Sequence, residues 1–193
     1  MSNRTPAGHH TMTSGTSGTS ETSGTVSPLY GNPSAPAPAW DDVERRLTEA
    51  QLYWMVTVRS NGRPHVVPLC GVWHAGAFWF CTGDAEQKMR NLEHDPHVVV
   101  TAGPLGADGW ARGKDIAVEG VATRVEDETT LRTVADLWPA KYDGDWRWAV
   151  RDGRFFELTH RGDGTTDGAL VFRVPPDKVL VFGDEHGQTT YRF

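Results

Sequence analysis

The chain has 193 residues, of which 38% are hydrophobic, and 25 acidic against 19 basic residues give it a formal net charge of −6. This balance argues against a general nucleic-acid surface, which needs clustered positive charge. Two cysteines, Cys70 and Cys81, are too few for a disulfide framework or a cysteine-rich zinc site. No apolar run approaches the length of a membrane span or the core of a signal peptide, so we expect a cytoplasmic protein without membrane contact.

Residues 1–38 are almost free of large apolar side chains and include TSGTSGTSETSGTVS and NPSAPAPA. Such a composition cannot bury enough apolar surface to offset the entropy lost on ordering. We therefore expect a disordered tail over residues 1–38, followed by one globular domain over residues 39–193. Whether the His9-His10 pair is native stays open.

The predicted elements begin with a short helix near residues 40–50, where apolar side chains recur at helical spacing. The stretch 53–59 alternates as a strand does, and Asn61-Gly62 after it is a strong hairpin signal. A return strand is predicted over residues 65–73 and a third strand over residues 77–81. These three strands are expected to form one antiparallel meander.

A second helix is predicted from Asp84, with Gln87 three residues later as a capping pair, and it should end at Asp95-Pro96. A third helix is expected to stop at Pro139. Further strands are predicted at 97–102, 116–125, 170–174, 178–182 and 189–193. Many short strands, two or three helices and no repeating β-α-β order predict a mostly β (α+β) fold, a small antiparallel barrel with flanking helices.

Common catalytic motifs are missing from the sequence. GWARGKD (109–115) lacks the glycine spacing of a phosphate loop, GDGTTDG (162–168) follows no strand, and no GxSxG motif occurs. His94 and His97 are separated by the helix-breaking Asp95-Pro96, so we expect no metal site there. The two cysteines can be buried thiols or a redox pair, and the first alternative is favoured.

Lys88 poses the main functional question, because it can face either water or a bound anion. The predicted helix starts directly after a buried strand, so its free N–H groups offer an anion site. Thr82 and Gly83 add a hydroxyl and an unobstructed backbone at the same place. Asp84 and Glu86 oppose an anion, because both bring negative charge close to it.

The segment GRPHVVPLCGVWHAGAFWFCTGDAEQKMRNLEHDPHVVVTAG (62–103) resembles the split-barrel flavin-binding superfamily that includes pyridoxamine 5′-phosphate oxidase. Within it, the similarity is greatest to actinobacterial flavin- and deazaflavin-dependent oxidoreductases. The matching pieces occur in the family's order and are Asn61-Gly62-Arg63-Pro64, Thr82-Gly83, Lys88, Asn91-Leu92 and Asp95-Pro96. The resemblance continues through VEG (118–120), KYDGDW (141–146) and QTTYRF (188–193), and covers about 155 residues.

The resemblance implies a split β-barrel that forms a homodimer, with a flavin-type cofactor held at the interface between the two chains. It implies that Lys88 and Thr82 hold the cofactor's phosphate, while the strand after Gly62-Arg63-Pro64 runs along the ring system. The cofactor contacts implied in this way are Arg63, His65, Val67, Pro68, Leu69, Thr82, Gly83, Gln87, Lys88 and Asn91.

Two departures from the pyridoxamine-phosphate oxidases bear on the cofactor. Those enzymes carry basic residues after Gly-Arg-Pro and an arginine beside the helix lysine, where this chain has VVPLC and Glu86-Gln87. Pyridoxamine phosphate is therefore a poor substrate candidate. Because the same departures are common among relatives that use the deazaflavin coenzyme F420, and the composition fits a GC-rich actinobacterium, F420 is favoured slightly over FMN.

The first functional hypothesis is a flavin- or deazaflavin-dependent oxidoreductase acting on a small unsaturated or conjugated substrate. Trp73, Trp146 and Trp148 can line a substrate slot or belong to the core or the dimer interface. His65 is a weak candidate proton donor, and a strand histidine bonded to backbone is favoured over it. The alternatives are a non-catalytic flavin- or haem-binding carrier and a cofactor-free structural dimer.

Overall fold

The computed structural model describes residues 22–103, 114–158 and 168–193. The first 21 residues, including His9-His10, lie outside the described residues, as does most of GDGTTDG. The described strands are β1 (Thr25–Gly31), β2 (Tyr53–Val58), β3 (Pro64–Leu69), β4 (Val72–His74), β5 (Ala77–Thr82), β6 (His97–Ala102), β7 (Asp115–Val121), β8 (Thr123–Val125), β9 (Trp148–Arg151), β10 (Arg154–Glu157), β11 (Ala169–Val174), β12 (Pro176–Gly183) and β13 (Gly187–Arg192). The described helices are α1 (Trp40–Glu49), α2 (Gln87–His94), α3 (Glu128–Ala135) and α4 (Leu137–Lys141).

Two antiparallel sheets build the barrel. The seven-stranded sheet has the order β1-β13-β12-β7-β6-β2-β3, and the six-stranded sheet has the order β4-β5-β11-β10-β9, with β8 also paired to β11. The predicted fold, a mostly β split barrel of antiparallel strands with flanking helices, is confirmed.

The main core lies between the two sheets. Tyr53 and Met55 of β2 meet Phe78 and Phe80 of β5 there, and all four are fully buried. A second core lies on the other face of the six-stranded sheet, under α3 and α4, and includes Trp138. Strand β5 is therefore buried on both faces, which explains its continuous apolar run.

The predicted meander of three strands is wrong in one respect, because the predicted return strand over residues 65–73 is divided between the two sheets. Strand β3 belongs to the first sheet and β4 to the second, and the chain crosses at Cys70-Gly71. A Cβ at Gly71 would lie 2.4 Å from the Phe78 ring, so the crossing needs glycine. The stretch 116–125 is divided in the same way into β7 and β8.

Helix α2 begins at Gln87, three residues later than predicted, and it ends at His94 as expected. The Asp84 carboxylate does not cap the helix, because it pairs with the Arg154 guanidinium at 2.9 Å instead. Pro139 also behaves differently from the prediction. The helix break falls at Asp136, and Pro139 lies in the first turn of α4, where a proline removes no intrahelical hydrogen bond.

The expected disorder over residues 1–38 is wrong for the end of that stretch, where residues 25–31 form strand β1. This strand pairs with β13, with Thr25 opposite Thr190. The Asn32 N–H donates to the His186 carbonyl at 3.1 Å, and the Tyr191 hydroxyl donates to the Pro38 carbonyl at 2.5 Å. Backbone pairing to an exposed sheet edge needs few large side chains, so a polar composition did not reveal it.

Candidate functional site

Helix α2 is fixed to the barrel by a chain of polar side chains. The Gln87 amide donates to Asn91 Oδ1 at 2.7 Å, and Asn91 Nδ2 donates to Thr57 Oγ1 on β2 at 2.8 Å. Thr57 Oγ1 lies 3.4 Å from His65 Nδ1 on the neighbouring strand. Three predicted site residues, His65, Gln87 and Asn91, are therefore brought together.

Thr57 joins these residues and was missed from the sequence. It is only 1% exposed, and it alternates inward with Tyr53 and Met55 along β2. A polar residue at a core-facing position of a strand was the signal that could have identified it, because such a residue needs a hydrogen-bond partner.

Lys88 does not face water. It is 6% exposed, and its ammonium forms an ion pair with the carboxylate of Glu86. Of the two alternatives left open by the sequence, water and an anion, Lys88 faces an anion. In this structure that anion is the side chain of Glu86.

The Glu86 carboxylate collects several donors at the end of β5. Its Oε1 accepts the Gly83 N–H at 2.8 Å, and its Oε2 accepts from Lys88. Burial alone would raise the pKa of Glu86, but the hydrogen bonds from Lys88 and the Gly83 N–H, with the positive charge of Lys88, hold that pKa below its ordinary value. Thr82 itself is 1% exposed.

This donor set fits a phosphate. An ammonium and a backbone N–H converge on one anion, the buried Thr82 hydroxyl comes directly before them in the chain, and no side chain caps the N-terminus of α2. The first turn of α2 carries no acidic residue, and the other nearby carboxylate, Asp84, is already paired with Arg154. Lys88 and Gly83 thus contact one carboxylate of the chain, and their binding of a cofactor phosphate together with Thr82 stays a prediction.

Strand β3 supplies the second part of the site. It is the last strand of the seven-stranded order, so one of its edges has no strand partner among the described residues. His65, Val67 and Leu69 alternate inward and are half-buried, whereas Val66 and Pro68 are exposed. The free edge can hydrogen-bond a flat ring system, and Pro68 lacks a donor.

His65 and Arg63 mark the start of that strand. Burial, with the positive charges of Arg59 and Lys88, lowers the pKa of His65, so its imidazole is neutral at neutral pH. Arg63 is exposed in the turn before β3, where its carbonyl accepts the Arg59 N–H at 2.9 Å.

The three predicted slot tryptophans are placed differently. Trp73 is 6% exposed in the main core, and its indole N–H donates to Glu44 at 2.9 Å, which favours the core alternative for it. Trp146 and Trp148 stack at 5.8 Å and belong to the second core, beside Phe155. They are thus grouped with α3 and α4, and not with the residues that bind α2 to β2.

Both cysteines are free, and each is half-buried. Burial raises the pKa of Cys70 and raises that of Cys81 to about 12. A thiol with a raised pKa is a weak nucleophile at neutral pH, which favours the interpretation as buried thiols.

Across the described ranges, no group of three or more His, Cys, Asp or Glu side chains could hold a metal ion. His97 hydrogen-bonds Asp95 at 2.7 Å, just after α2 ends at His94.

None of the described helices is both long and apolar enough to cross a membrane.

A family model described as pyridoxamine 5′-phosphate oxidase matches residues 39–157. The chain belongs to this family. The match covers more than half of the chain and includes Thr82, Gly83, Glu86, Lys88 and all of strand β3. No curated protein matches the sequence.

Solved structures of the same architecture support the pyridoxamine 5′-phosphate oxidase-like fold. A conserved hypothetical protein of Mycobacterium tuberculosis is 19% identical, with a TM-score of 0.59, over 77% of this chain and 86% of that one. A heme binding protein of Mycobacterium smegmatis is 17% identical, with a TM-score of 0.61, over 81% of this chain and 59% of that one. An F420 reductase is 23% identical, with a TM-score of 0.51, over 70% of this chain and 94% of that one. At these identities the similarity shows the fold alone.

Proposed function

We propose that the protein is a homodimeric oxidoreductase that binds a flavin-type cofactor, F420 or FMN, and transfers hydride to or from a small unsaturated or conjugated substrate. The observation that carries this proposal is that Lys88 and the Gly83 N–H bind one carboxylate next to the buried Thr82, with the free edge of β3 in the same fold. Family membership and the similarity to an F420 reductase support it.

Each part of the site has a defined task in this proposal. Lys88, Thr82 and Gly83 hold the phosphate, and the backbone of β3 bonds the edge of the ring system. The hydrogen bonds from Gln87 through Asn91 to Thr57 keep α2 at a fixed position relative to β2 and β3. The bound cofactor supplies the hydride chemistry, so the chain needs few reacting groups of its own.

His65 is better suited to positioning than to proton donation. Because its pKa is lowered, the imidazole is neutral at neutral pH and carries a single ring proton. It therefore lacks the second, acidic proton of an imidazolium that a proton donor would give up. Its Nδ1 lies against the Thr57 hydroxyl at 3.4 Å, which fixes the ring's orientation and leaves Nε2 for other contacts.

The outer face of β2 and β3 supports the homodimer. Trp54 is 49% exposed and Val66 is 51% exposed, and register places them on one face with Val56 and Pro68. Exposed apolar side chains grouped in this way are typical of interaction surfaces. A cofactor shared between two chains needs a permanent interface, which we expect to bury well over ~1,000 Å².

A cytoplasmic location completes the proposal. Cys70 and Cys81 are both free thiols, and free thiols are typical of proteins in a reducing compartment.

A carrier that binds haem or flavin without turnover is the second candidate. The neutral imidazole of His65 favours it, because haem iron commonly takes a histidine ligand. The similarity to a heme binding protein of Mycobacterium smegmatis gives it further support.

The test starts from the absorption and mass spectrum of any small molecule that copurifies with the full chain, followed by calorimetric titration with FMN, F420 and haem. Stopped-flow mixing of the loaded, reduced protein with quinones and enones then measures whether it passes on its electrons. Tight flavin or F420 binding with oxidation by an acceptor supports the oxidoreductase. A Soret band, or a bound cofactor that no acceptor oxidises, supports the carrier. Binding of none of the three overturns both.

A further inference from the structure

We infer that Glu86 is a built-in counter-ion that occupies the position of the cofactor's phosphate and leaves it when the cofactor binds, an inference that rests on the proposed phosphate site. Glu86 thereby sets how strongly the site favours a phosphate over a neutral group. Neither the family match nor the similar structures assign a role to this residue.

The two partners of this ion pair, Lys88 and Glu86, are unequally buried. The Lys88 side chain is 7% exposed, whereas that of Glu86 is 50% exposed. A buried ammonium without an anion is costly, so Lys88 needs a negative partner both with and without a ligand. Lys88 cannot turn to water, but Glu86 can do so at low cost because half of its side chain is already solvated.

Glu86 also uses the hydrogen-bond donors that a phosphate would need. It accepts from the Gly83 N–H and from Lys88. Two anions cannot share this donor set, because their charges repel at such short distance. The phosphate monoester of FMN, with a charge of about −1.5 to −2 and three acceptor oxygens, offers more to the same donors than one carboxylate does.

Asp84 cannot serve as the counter-ion of Lys88. Its carboxylate is held at 2.9 Å by the Arg154 guanidinium, which also donates to the Gly168 carbonyl at 2.7 Å. Asp84 and Glu86 therefore lie two residues apart in the same turn with the same charge, but only Glu86 contacts Lys88. This gives a matched pair for an experiment.

The experiment compares Glu86→Gln with Asp84→Asn, using FMN and riboflavin, which lacks the phosphate, as probes in calorimetric titrations. Glutamine keeps an oxygen for the Gly83 N–H but removes the competing charge. FMN should bind Glu86→Gln about tenfold more tightly than the wild type, as expected for a charge-assisted contact. Riboflavin affinity should not change, and Asp84→Asn should bind FMN as the wild type does.

A second measurement uses the protein without cofactor. Glu86→Gln leaves the buried ammonium of Lys88 without its anion, so its melting temperature should fall and should recover in inorganic phosphate by more than the wild type gains. Glu86→Gln with Lys88→Met added should lose that response to phosphate.

The inference is overturned if Glu86→Gln binds FMN no more tightly than the wild type, or if riboflavin gains as much as FMN. If neither protein binds FMN or F420, the proposed function is overturned instead, and the melting response to inorganic phosphate alone decides the role of Glu86.

Discussion

The Asn91 amide donates to the Thr57 hydroxyl at 2.8 Å, and this hydrogen bond fixes helix α2 to strand β2 inside the barrel. Both residues are 1% exposed, so the bond is made without competition from water. Lys88 lies on the same helix, one turn before Asn91. The position of Lys88 relative to β2 and β3 therefore depends in part on this buried polar pair.

Substitution of either member of this pair should reduce stability. Asn91→Ala and Thr57→Val each leave a buried polar group without its partner, which typically costs ~1–3 kcal/mol. The double variant should lose less than the sum of the two, because it contains neither of the two groups that the single variants leave without each other. Urea unfolding of the four proteins measures this coupling. Strictly additive losses would show that the bond contributes nothing.

Lys88→Ala should weaken binding of FMN or F420 by roughly ten- to a hundredfold, because it removes a charge-assisted contact worth ~1.5–3 kcal/mol. Thr82→Val should weaken binding in the same direction but less, since a neutral hydroxyl makes the weaker bond. Salt should weaken binding to the wild type more than to Lys88→Ala. Calorimetric titration measures all three effects. Unchanged affinity in Lys88→Ala would contradict the phosphate assignment.

Local patterns in the sequence predicted the strands and turns well, since alternation and turns such as Asn61-Gly62 depend on nearby residues alone. The motif resemblance implied that Lys88 holds a cofactor phosphate, which stays a prediction, and it did not reveal the ion pair with Glu86. The partner of Asn91 was not predictable, because Thr57 lies 34 residues away and spacing says nothing about tertiary contacts. The crossing at Gly71 was missed for the same reason: a continuous apolar run does not show where a strand changes sheets.

The tail can be tested by two truncations. Removal of residues 1–21 should leave the melting temperature within a few degrees, because this Ser/Thr/Gly-rich composition cannot support a core. Removal of residues 1–36 should lower it clearly, because β1 is then lost from the edge of β13, with the Asn32–His186 backbone bond. Thermal unfolding of the two proteins decides this. Equal melting temperatures would show that β1 adds no stability.

The proposed homodimer can be tested on the exposed face of β2 and β3. Trp54→Lys and Val66→Lys should give monomers at micromolar concentration in light scattering, since each places a charge in an apolar contact. Leu29→Lys is the matched control, because Leu29 is 82% exposed on β1, at the opposite end of the strand order. The control should remain dimeric. A wild type that is monomeric with cofactor bound would contradict the shared site.

Lys141 should give the stability of the protein an unusual pH dependence. Its ammonium donates to the Tyr53 hydroxyl at 2.7 Å and to the Gly71 carbonyl at 3.1 Å, and it lies 4.5 Å above the Tyr53 ring. Burial lowers the pKa of Lys141 from 10.5 to about 8. Between these two values Lys141 binds more protons in the unfolded chain than in the folded one, so its contribution to the free energy of unfolding should rise with pH from about 8 to 10.5.

Two variants isolate this contribution from that of other groups. In Lys141→Met the side chain cannot be protonated, and in Lys141→Arg it cannot lose its proton. Position 141 therefore does not titrate between pH 8 and 10.5 in either variant. The wild type should therefore gain stability relative to both as pH rises from 8 towards 10.5, and the difference should be constant below pH 8, where folded and unfolded chains are both protonated. Urea unfolding at pH 7, 8, 9 and 10 measures it. Parallel pH profiles for the three proteins would mean that Lys141 keeps an ordinary pKa and is solvated at the place where the chain crosses between the sheets.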